Sequence, residues 1–488
     1  MRRVRGPGVA TNAALLLAGG VSARFLSFVG FWLFTHVLSR ADVGVISLAL
    51  SVGAMCFEPG DGGLDPMVVR ALTRAHGREA RRFGAALVAK ALYGSVGLLV
   101  AVAVLSALVP DSASRRAVWL VVGGWWLGSF GRTLSAVFAA HEQFVWKGLL
   151  DLGRSTTLAL GGALLWLAHG PLVAAGLVHG VAEVVQAGFT VGVHRARFRR
   201  VVPRFDARLA LLLARQAWLP SLSALASMIY LVGDRVVLWR FAGRAEVGVY
   251  EAVSRVPLAF AVLPAALASA AFPAIAGRDR ERARRIYRET LVVLVTLAVP
   301  LAVGGAVLAD AGVALLYPAD YAAAARPFAA IWMVVGAVIF VSYVPSASLL
   351  ALGRTVELSR ITAALAAGNI LLNLMVDPWF GTRGAASVML ATQAAGLVAY
   401  SRIAGRELGL EGPWRVLRPG VLVASAVSGL VAWYVPGPVL IRAGAGVAAY
   451  AAALVALGAW PREAIATLRE VAHGADAARA AAPLPPLA

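Results

Sequence analysis

The chain is poor in charge. Only 14% of its 488 residues are Asp, Glu, Lys or Arg, against roughly a quarter in soluble domains. Cysteine is nearly absent. Cys56 stands alone, which excludes an internal disulfide and a thiolate metal cluster. Lysine is scarce too, with only Lys90 and Lys147 among the 45 basic side chains. The histidines form no His-Glu-x-x-His motif, and no glycine-rich run continues into Lys-Ser or Lys-Thr. The common zinc-hydrolase and phosphate-loop signatures are thereby excluded. His169 and His179 are expected at helix ends or in helix packing. The joints on the outer side are short and hold no paired carboxylates of the kind a membrane glycosyltransferase needs, which leaves no room there for a catalytic domain. No enzyme activity, metal site or cofactor is expected.

What is abundant is apolar sequence. Apolar residues make up 60% of the chain, and the mean hydropathy is +0.77. Runs of about 20 residues recur, the length that crosses a bilayer as a helix. They are continuous rather than alternating, which favours helices over a membrane β-barrel. The expected fold is therefore an all-α polytopic membrane protein. About fourteen spans are predicted, from 10–37 and 43–67 through 247–276, 357–376 and 383–403 to 438–459. Met1-Arg2-Arg3-Val4-Arg5 precedes the first run like a signal peptide. That run is too long and too many follow, so it reads as an uncleaved first span.

The net charge of +20 would suggest nucleic acid in a soluble protein. Here its placement argues otherwise. Arginines crowd into alternate joints, as in Arg195, Arg197, Arg199 and Arg200, or Arg278, Arg280, Arg282, Arg284 and Arg285. The other joints carry few, such as Arg40 and Arg326. This is the positive-inside pattern, with both termini on the cytoplasmic side. No nucleic-acid partner is expected.

The halves repeat. Arg40-Ala41-Asp42-Val43-Gly44-Val45 recurs as Arg244-Ala245-Glu246-Val247-Gly248-Val249, and Ala80-Arg81-Arg82 as Ala283-Arg284-Arg285. Six spans separate the copies, so the two lobes share one orientation. The expected organisation is an N-lobe over 1–200, a C-lobe over 201–412, two added spans over 413–460 and a tail from 461, disordered at its end. Gly124 and Gly128 predict a close-packing face on the fourth span. Pro220, Pro257, Pro264, Pro300 and Pro345 predict kinks.

Charges inside spans carry the functional signal. Arg24 lies near the middle of the first run, about 20 Å from either end. It has no acid one turn away on its own helix and is expected to line a cavity. Arg255 is a second candidate, although Glu251 sits one turn before it and could hold it. Arg132 is a third, with Glu183 able to neutralise it in a buried pair. Asp234-Arg235 reads as a structural ion pair. Lys90 and Arg215 are near enough to an inner end to snorkel. The stretch Glu58-Pro59-Gly60-Asp61-Gly62-Gly63-Leu64-Asp65-Pro66 predicts a broken helix. Asp61 there, Glu183 and Asp234 are the candidates for coupling to a proton or sodium gradient.

This pattern resembles the multidrug/oligosaccharidyl-lipid/polysaccharide (MOP) exporter superfamily, and within it the Wzx-type polysaccharide flippases. The residues that carry the likeness begin with Leu38-Ser39-Arg40-Ala41-Asp42-Val43-Gly44 and Asp61-Gly62-Gly63-Leu64. Asp234-Arg235-Val236-Val237-Leu238, Val247-Gly248-Val249-Tyr250 with Arg255, and Ala271-Phe272-Pro273 follow. Asn369 and Asn373 then precede Pro378 and Gly384-Ala385-Ala386. The resemblance implies a MATE-like fold of two six-helix lobes plus two helices, the latter bordering a groove for a polyprenyl tail. It implies transfer of undecaprenyl-diphosphate-linked oligosaccharide from the inner to the outer leaflet of a bacterial cytoplasmic membrane. Arg24 and Arg255 would then bind the diphosphate, with Arg132 in reserve. Membrane lipids, a polysaccharide polymerase and glycosyltransferases are the implied partners. Lipid II flippases of the superfamily place a second arginine and an acid where this chain has Gly30 and Phe31, which argues against that substrate. A MATE-type cation antiporter would prefer acidic and aromatic residues over arginines. A membrane-embedded polymerase or glycosyltransferase would need a sizeable outer loop.

Overall fold

Inside a bilayer the backbone has no water to bond, so each apolar run closes its hydrogen bonds within itself as a helix. The computed structural model describes residues 9–73, 79–141, 143–197, 204–410 and 416–467. Among them there are helices and connecting turns but no strands. Thirteen of the fourteen predicted runs fall largely within one helix, and the 247–276 run is divided between two. Eight of the described helices are long and apolar enough to cross a membrane alone, or nine if one bent pair counts as a single span. The predicted total of fourteen is not reached by that criterion.

One compact unit comprises residues 15–252 and 362–385. It is built from α1 (Val9–Thr35), α2 (Arg40–Thr73), α3 (Glu79–Leu108), α4 (Ser112–Ala140), α5 (Phe144–Ala168), α6 (Leu172–Arg197), α7 (Ala207–Phe241) and the start of α8 (Arg244–Ala259). Small residues set its closest approaches, as expected where lipid supplies no hydrophobic drive between helices. A Cβ on Gly124 of α4 would lie 2.6 Å from Gly180 of α6, and one on Gly131 would lie 2.8 Å from Ala187. The predicted glycine face on the fourth span is therefore the α4–α6 seam. Helix α1 lies on α5, where Gly30 meets the Leu158 backbone and Ser27 shares a 2.9 Å hydrogen bond with Ser155.

The other unit comprises residues 1–14, 253–361 and 386–488. Its described helices are the end of α8, α9 (Val262–Ile275), α10 (Arg280–Leu316), α11 (Ala319–Ala325), α12 (Ala329–Ala351), parts of α13 (Thr355–Leu408), α14 (Pro419–Tyr434) and α15 (Val439–Ala456). Helices α10 and α12 pack together, and α14 and α15 form a hairpin against α10. Tyr450 of α15 donates to the Thr296 carbonyl of α10, and Ser428 of α14 donates to the Gly446 carbonyl at 2.8 Å. The tail from 468 onward lies outside the described residues.

Two expectations are corrected. The Pro59–Pro66 stretch does not break its helix, because α2 runs through it to Thr73. Its glycines serve packing instead: a Cβ on Gly62 would lie 2.7 Å from Ala224 of α7, and one on Gly63 would lie 3.0 Å from the Ala217 carbonyl. The break falls in the predicted 247–276 span, where α8 and α9 meet at 45°. Pro257 and Pro264 flank that joint, each lacking an N–H for the helix ladder. Lys90 does not snorkel. It is only 1% exposed and is paired with Asp61, since a carboxylate within reach neutralises the ammonium without extension to water. The predicted 357–376 and 383–403 runs are two helical segments of α13 that meet at a kink at Gly381, whose φ of 51° and ψ of −134° are non-helical and suit glycine.

Candidate functional site

The charges predicted inside spans form two clusters, both within the unit of residues 15–252 and 362–385. The first is a chain of alternating sign across five helices. Lys90 of α3 pairs with Asp61 of α2. The other Asp61 oxygen accepts from Arg132 Nε of α4 at 2.7 Å. Arg132 Nη1 donates to Glu183 Oε2 of α6 at 2.8 Å, and Glu183 Oε1 accepts from Arg154 Nε of α5 at 2.6 Å. Both carboxylates thus bridge two cations. Arg132 also sits 5.2 Å from the Trp125 ring, in cation–π range. Gly128 is why Glu183 can reach: a Cβ there would collide with its carboxylate. Asp65, one turn beyond Asp61, accepts from Thr133 at 3.0 Å.

These charges do not line up by accident of sequence. Asp61, Lys90, Arg132, Arg154 and Glu183 are far apart in the chain, yet each lies well inside its helix. A lone ion there is expensive, whereas a bridged one satisfies its hydrogen bonds. The paired Arg132 and Glu183 of the sequence reading are brought together. Arg154 joins them, and so does Lys90, the residue expected to snorkel. Arg132 and Arg154 keep 21% and 26% of their side chains exposed, while Glu183 keeps 2%. The chain therefore presents guanidinium edges, not carboxylates.

The second cluster surrounds Asp234. Its Oδ1 accepts from Arg235 Nη1 at 2.7 Å, and its Oδ2 accepts from the Tyr250 hydroxyl at 2.6 Å. Arg235 Nε donates to Glu251 at 3.0 Å. The predicted Asp234–Arg235 pair is therefore present, and Glu251 turns its carboxylate toward Arg235. On α13, Asn373 donates to the Asn369 side chain at 2.9 Å. One turn on, Asp377 is buried and neither carboxylate oxygen has a hydrogen-bond partner. Asn373 Oδ1 is likewise without a donor. Asp377 lies near enough to Asp234 for their charges to repel. Three orphaned acceptor oxygens beside a second carboxylate are unstable as bare anions. They suit a proton or a small cation.

Sequence reading missed Asp377 because it falls at the end of a run, just before Pro378. Its spacing from Asn369 and Asn373 on one helix face was the available signal.

Arg24 stands apart. It is exposed on α1, and no ion pair among the described residues involves it. Arg255 is half-buried on α8, in the other unit. No group of three or more His, Cys, Asp or Glu among the described residues is placed to hold a metal ion.

Comparison with known proteins agrees with this picture. The family model described as polysaccharide biosynthesis protein matches residues 9–277. The chain is 30% identical over 217 residues to the probable flippase AglR of Haloferax volcanii, which covers 43% of this chain and 45% of that protein. In fold it resembles the lipid II flippase MurJ in an inward closed conformation, with a TM-score of 0.74 and 13% identity over 90% of this chain and 98% of that one. An inward-facing MATE multidrug transporter of the MOP superfamily gives 0.62 and 14% over 83% and 96%. Those likenesses show a shared helical fold, and the long apolar helices agree with a multi-pass membrane protein.

Proposed function

The chain belongs to the polysaccharide biosynthesis protein family, and from that premise we propose that it is a flippase for undecaprenyl-diphosphate-linked oligosaccharide. It carries the headgroup from the inner to the outer leaflet of the cytoplasmic membrane by alternating access, with both termini in the cytoplasm. The product serves exopolysaccharide or O-antigen assembly. It is a transporter rather than an enzyme, and its partners are the polymerase and glycosyltransferases of that route.

The observation that carries this reading is Arg24, an exposed arginine on an apolar helix with no ion pair among the described residues. A diphosphate cannot enter hydrocarbon without compensation. A guanidinium supplies charge and a planar fork of donors, and it never deprotonates. Arg24 takes the diphosphate, and Arg255 is the second candidate for it. Arg132 and Arg154 form a reserve. Asp61 and Glu183 hold them in place, a role better supported than ion coupling. Coupling, for which Asp234 is the sequence candidate in this cluster, falls to its neighbour Asp377, which with Asn373 takes up a proton or a sodium ion. A cation antiporter of the same fold would want free carboxylates where these arginines stand.

The test is genetic. Arg24→Ala and Arg255→Ala should each abolish surface polysaccharide and accumulate lipid-linked oligosaccharide, with unchanged protein in the membrane. Normal polysaccharide from both variants would sink the proposal.

A further inference from the structure

A groove of about 1100 Å³ opens on the unit of residues 15–252 and 362–385, between α3, α4 and α6. Nearly every residue along it is apolar, from Phe83 and Leu87 to Leu127 and Val191. It runs along α3 from Phe83 to Ala91 and along α6 from Ala187 to Ala196. At 1.5 Å per residue that is about 12–14 Å. Half of the ~30 Å hydrocarbon core is close to the same depth. The groove therefore spans one leaflet, not the whole membrane. Its floor is bare at Gly192, where a Cβ would meet nothing within 4 Å.

One end is polar. His194 and Arg195 line it, with Arg197 exposed one half-turn on. Arg81, Arg82 and Arg204 flank Phe83 and Phe205 at the same end. Residues 204–206, which lead into α7, are pinned there. Arg204 N–H donates to the Ala80 carbonyl at 2.9 Å, and Asp206 accepts from Arg81 Nε at 2.5 Å. Phe205, 75% exposed, is thereby fixed at the mouth as an interfacial aromatic. Arg195 thus stands at the mouth of an apolar slot one leaflet deep, and four further arginines lie within two positions of its lining residues in sequence.

We propose that this groove binds an anionic phospholipid of the leaflet on the arginine-rich side. The acyl chains lie along Leu87, Leu127 and Val191, and the phosphate meets Arg195 and its neighbours. Basic pockets between membrane helices select anionic headgroups in this way. Bulk lipid wetting an apolar face would show no such selection. The site is separate from Arg24 and does not depend on the flippase reading.

The test uses the full-length protein purified in a mild detergent and native mass spectrometry. Phosphatidylglycerol and phosphatidylcholine with the same acyl chains are added at equal mole fraction. Phosphatidylglycerol should be retained about fivefold better, the factor expected for one basic contact near the surface. Arg195→Gln should bring the ratio toward unity. Gly192→Trp fills the floor and should exclude both lipids, and Gly192→Leu replaces it if the tryptophan variant does not fold. Equal retention of the two lipids by the unaltered protein overturns the proposal. So does a preference that survives both Arg195→Gln and the groove-filling variant. Undecaprenyl phosphate is the competitor. If it displaces phosphatidylglycerol at substoichiometric amounts, the groove holds a polyprenyl tail and the proposal fails.

Discussion

Gly44 and Gly248 meet backbone to backbone. A Cβ on Gly44 would overlap the Arg244 carbonyl oxygen, and a Cβ on Gly248 would overlap that of Arg40. Each glycine occupies the same place in its copy of the repeated Arg-Ala-Asp/Glu-Val-Gly-Val segment. The contact is reciprocal, as a pseudo-twofold relation between the repeats requires. Only backbone stands in the way, so neither side can yield by rotating a side chain. Gly44→Ala and Gly248→Ala should each destabilise by about 1–3 kcal/mol, the usual range for overpacking. Thermal unfolding in detergent reads this directly. The two losses should be similar, and an unchanged midpoint in either variant would refute the contact.

Arg132 joins Asp61 to Glu183, and its removal takes one of two cations from each, leaving Lys90 on Asp61 and Arg154 on Glu183. Arg132→Gln should destabilise by about 1.5–3 kcal/mol, the range for hydrogen bonds to charged groups. Asp61→Asn alone should cost more, about 3–5 kcal/mol, because it leaves the buried Lys90 ammonium without its carboxylate. The double variant should fall short of the sum by about 0.5–3 kcal/mol, the coupling range for residues in one network. Denaturation of the three variants forms the cycle. Strict additivity would mean that the chain of ions does not act as a unit.

Much of this was legible before any coordinates. Fourteen apolar runs, the repeat and the α4 glycine face follow from composition and spacing alone, because lipid enforces helices and small residues permit contact. The Arg132–Glu183 and Asp234–Arg235 pairs were legible because an ion inside a span must find a partner. Which further partners join was not. Lys90 lies at a depth from which it could equally reach water, and only packing against α2 decides for Asp61. The glycines and prolines of 59–66 looked like a break, yet Gly62 and Gly63 are what let α7 approach α2. A residue type states what it permits, and its neighbours decide which permission is used.

Asp206 gives a pH dependence with a definite sign. Its carboxyl caps α7 through the Leu209 N–H and accepts from Arg81, and these bonds hold it below its ordinary range. A depressed carboxyl contributes stability above its unfolded pKa, about 3.9, and loses it as pH falls through the lower folded value. The midpoint of thermal unfolding should therefore drop between about pH 5 and pH 3. Asp206→Asn keeps a capping oxygen but cannot titrate, so its profile should be flatter over that interval. Identical profiles would remove Asp206 from the acid response.

Asp377 and Asp234 set the last expectation, and they differ in what their amides should do. Asp234 is fully engaged: Arg235 and Tyr250 both bond to it. Asp234→Asn removes the charge that Arg235 answers and should destabilise by about 3–5 kcal/mol. Asp377 has no such partner. Asp377→Asn removes a buried charge that nothing neutralises, so stability should hold or rise by about 1–3 kcal/mol. Transport should respond in the opposite sense. If Asp377 and Asn373 receive the coupling ion, Asp377→Asn should leave a stable, membrane-inserted protein whose flipping no longer answers to a proton or sodium gradient. Proteoliposomes carrying fluorescent lipid-linked oligosaccharide, with each gradient imposed in turn, measure this. A response to either gradient that survives in Asp377→Asn would move the coupling site elsewhere. A stable variant that has lost the response would tie the orphaned carboxyl to the work of the cycle rather than to the fold.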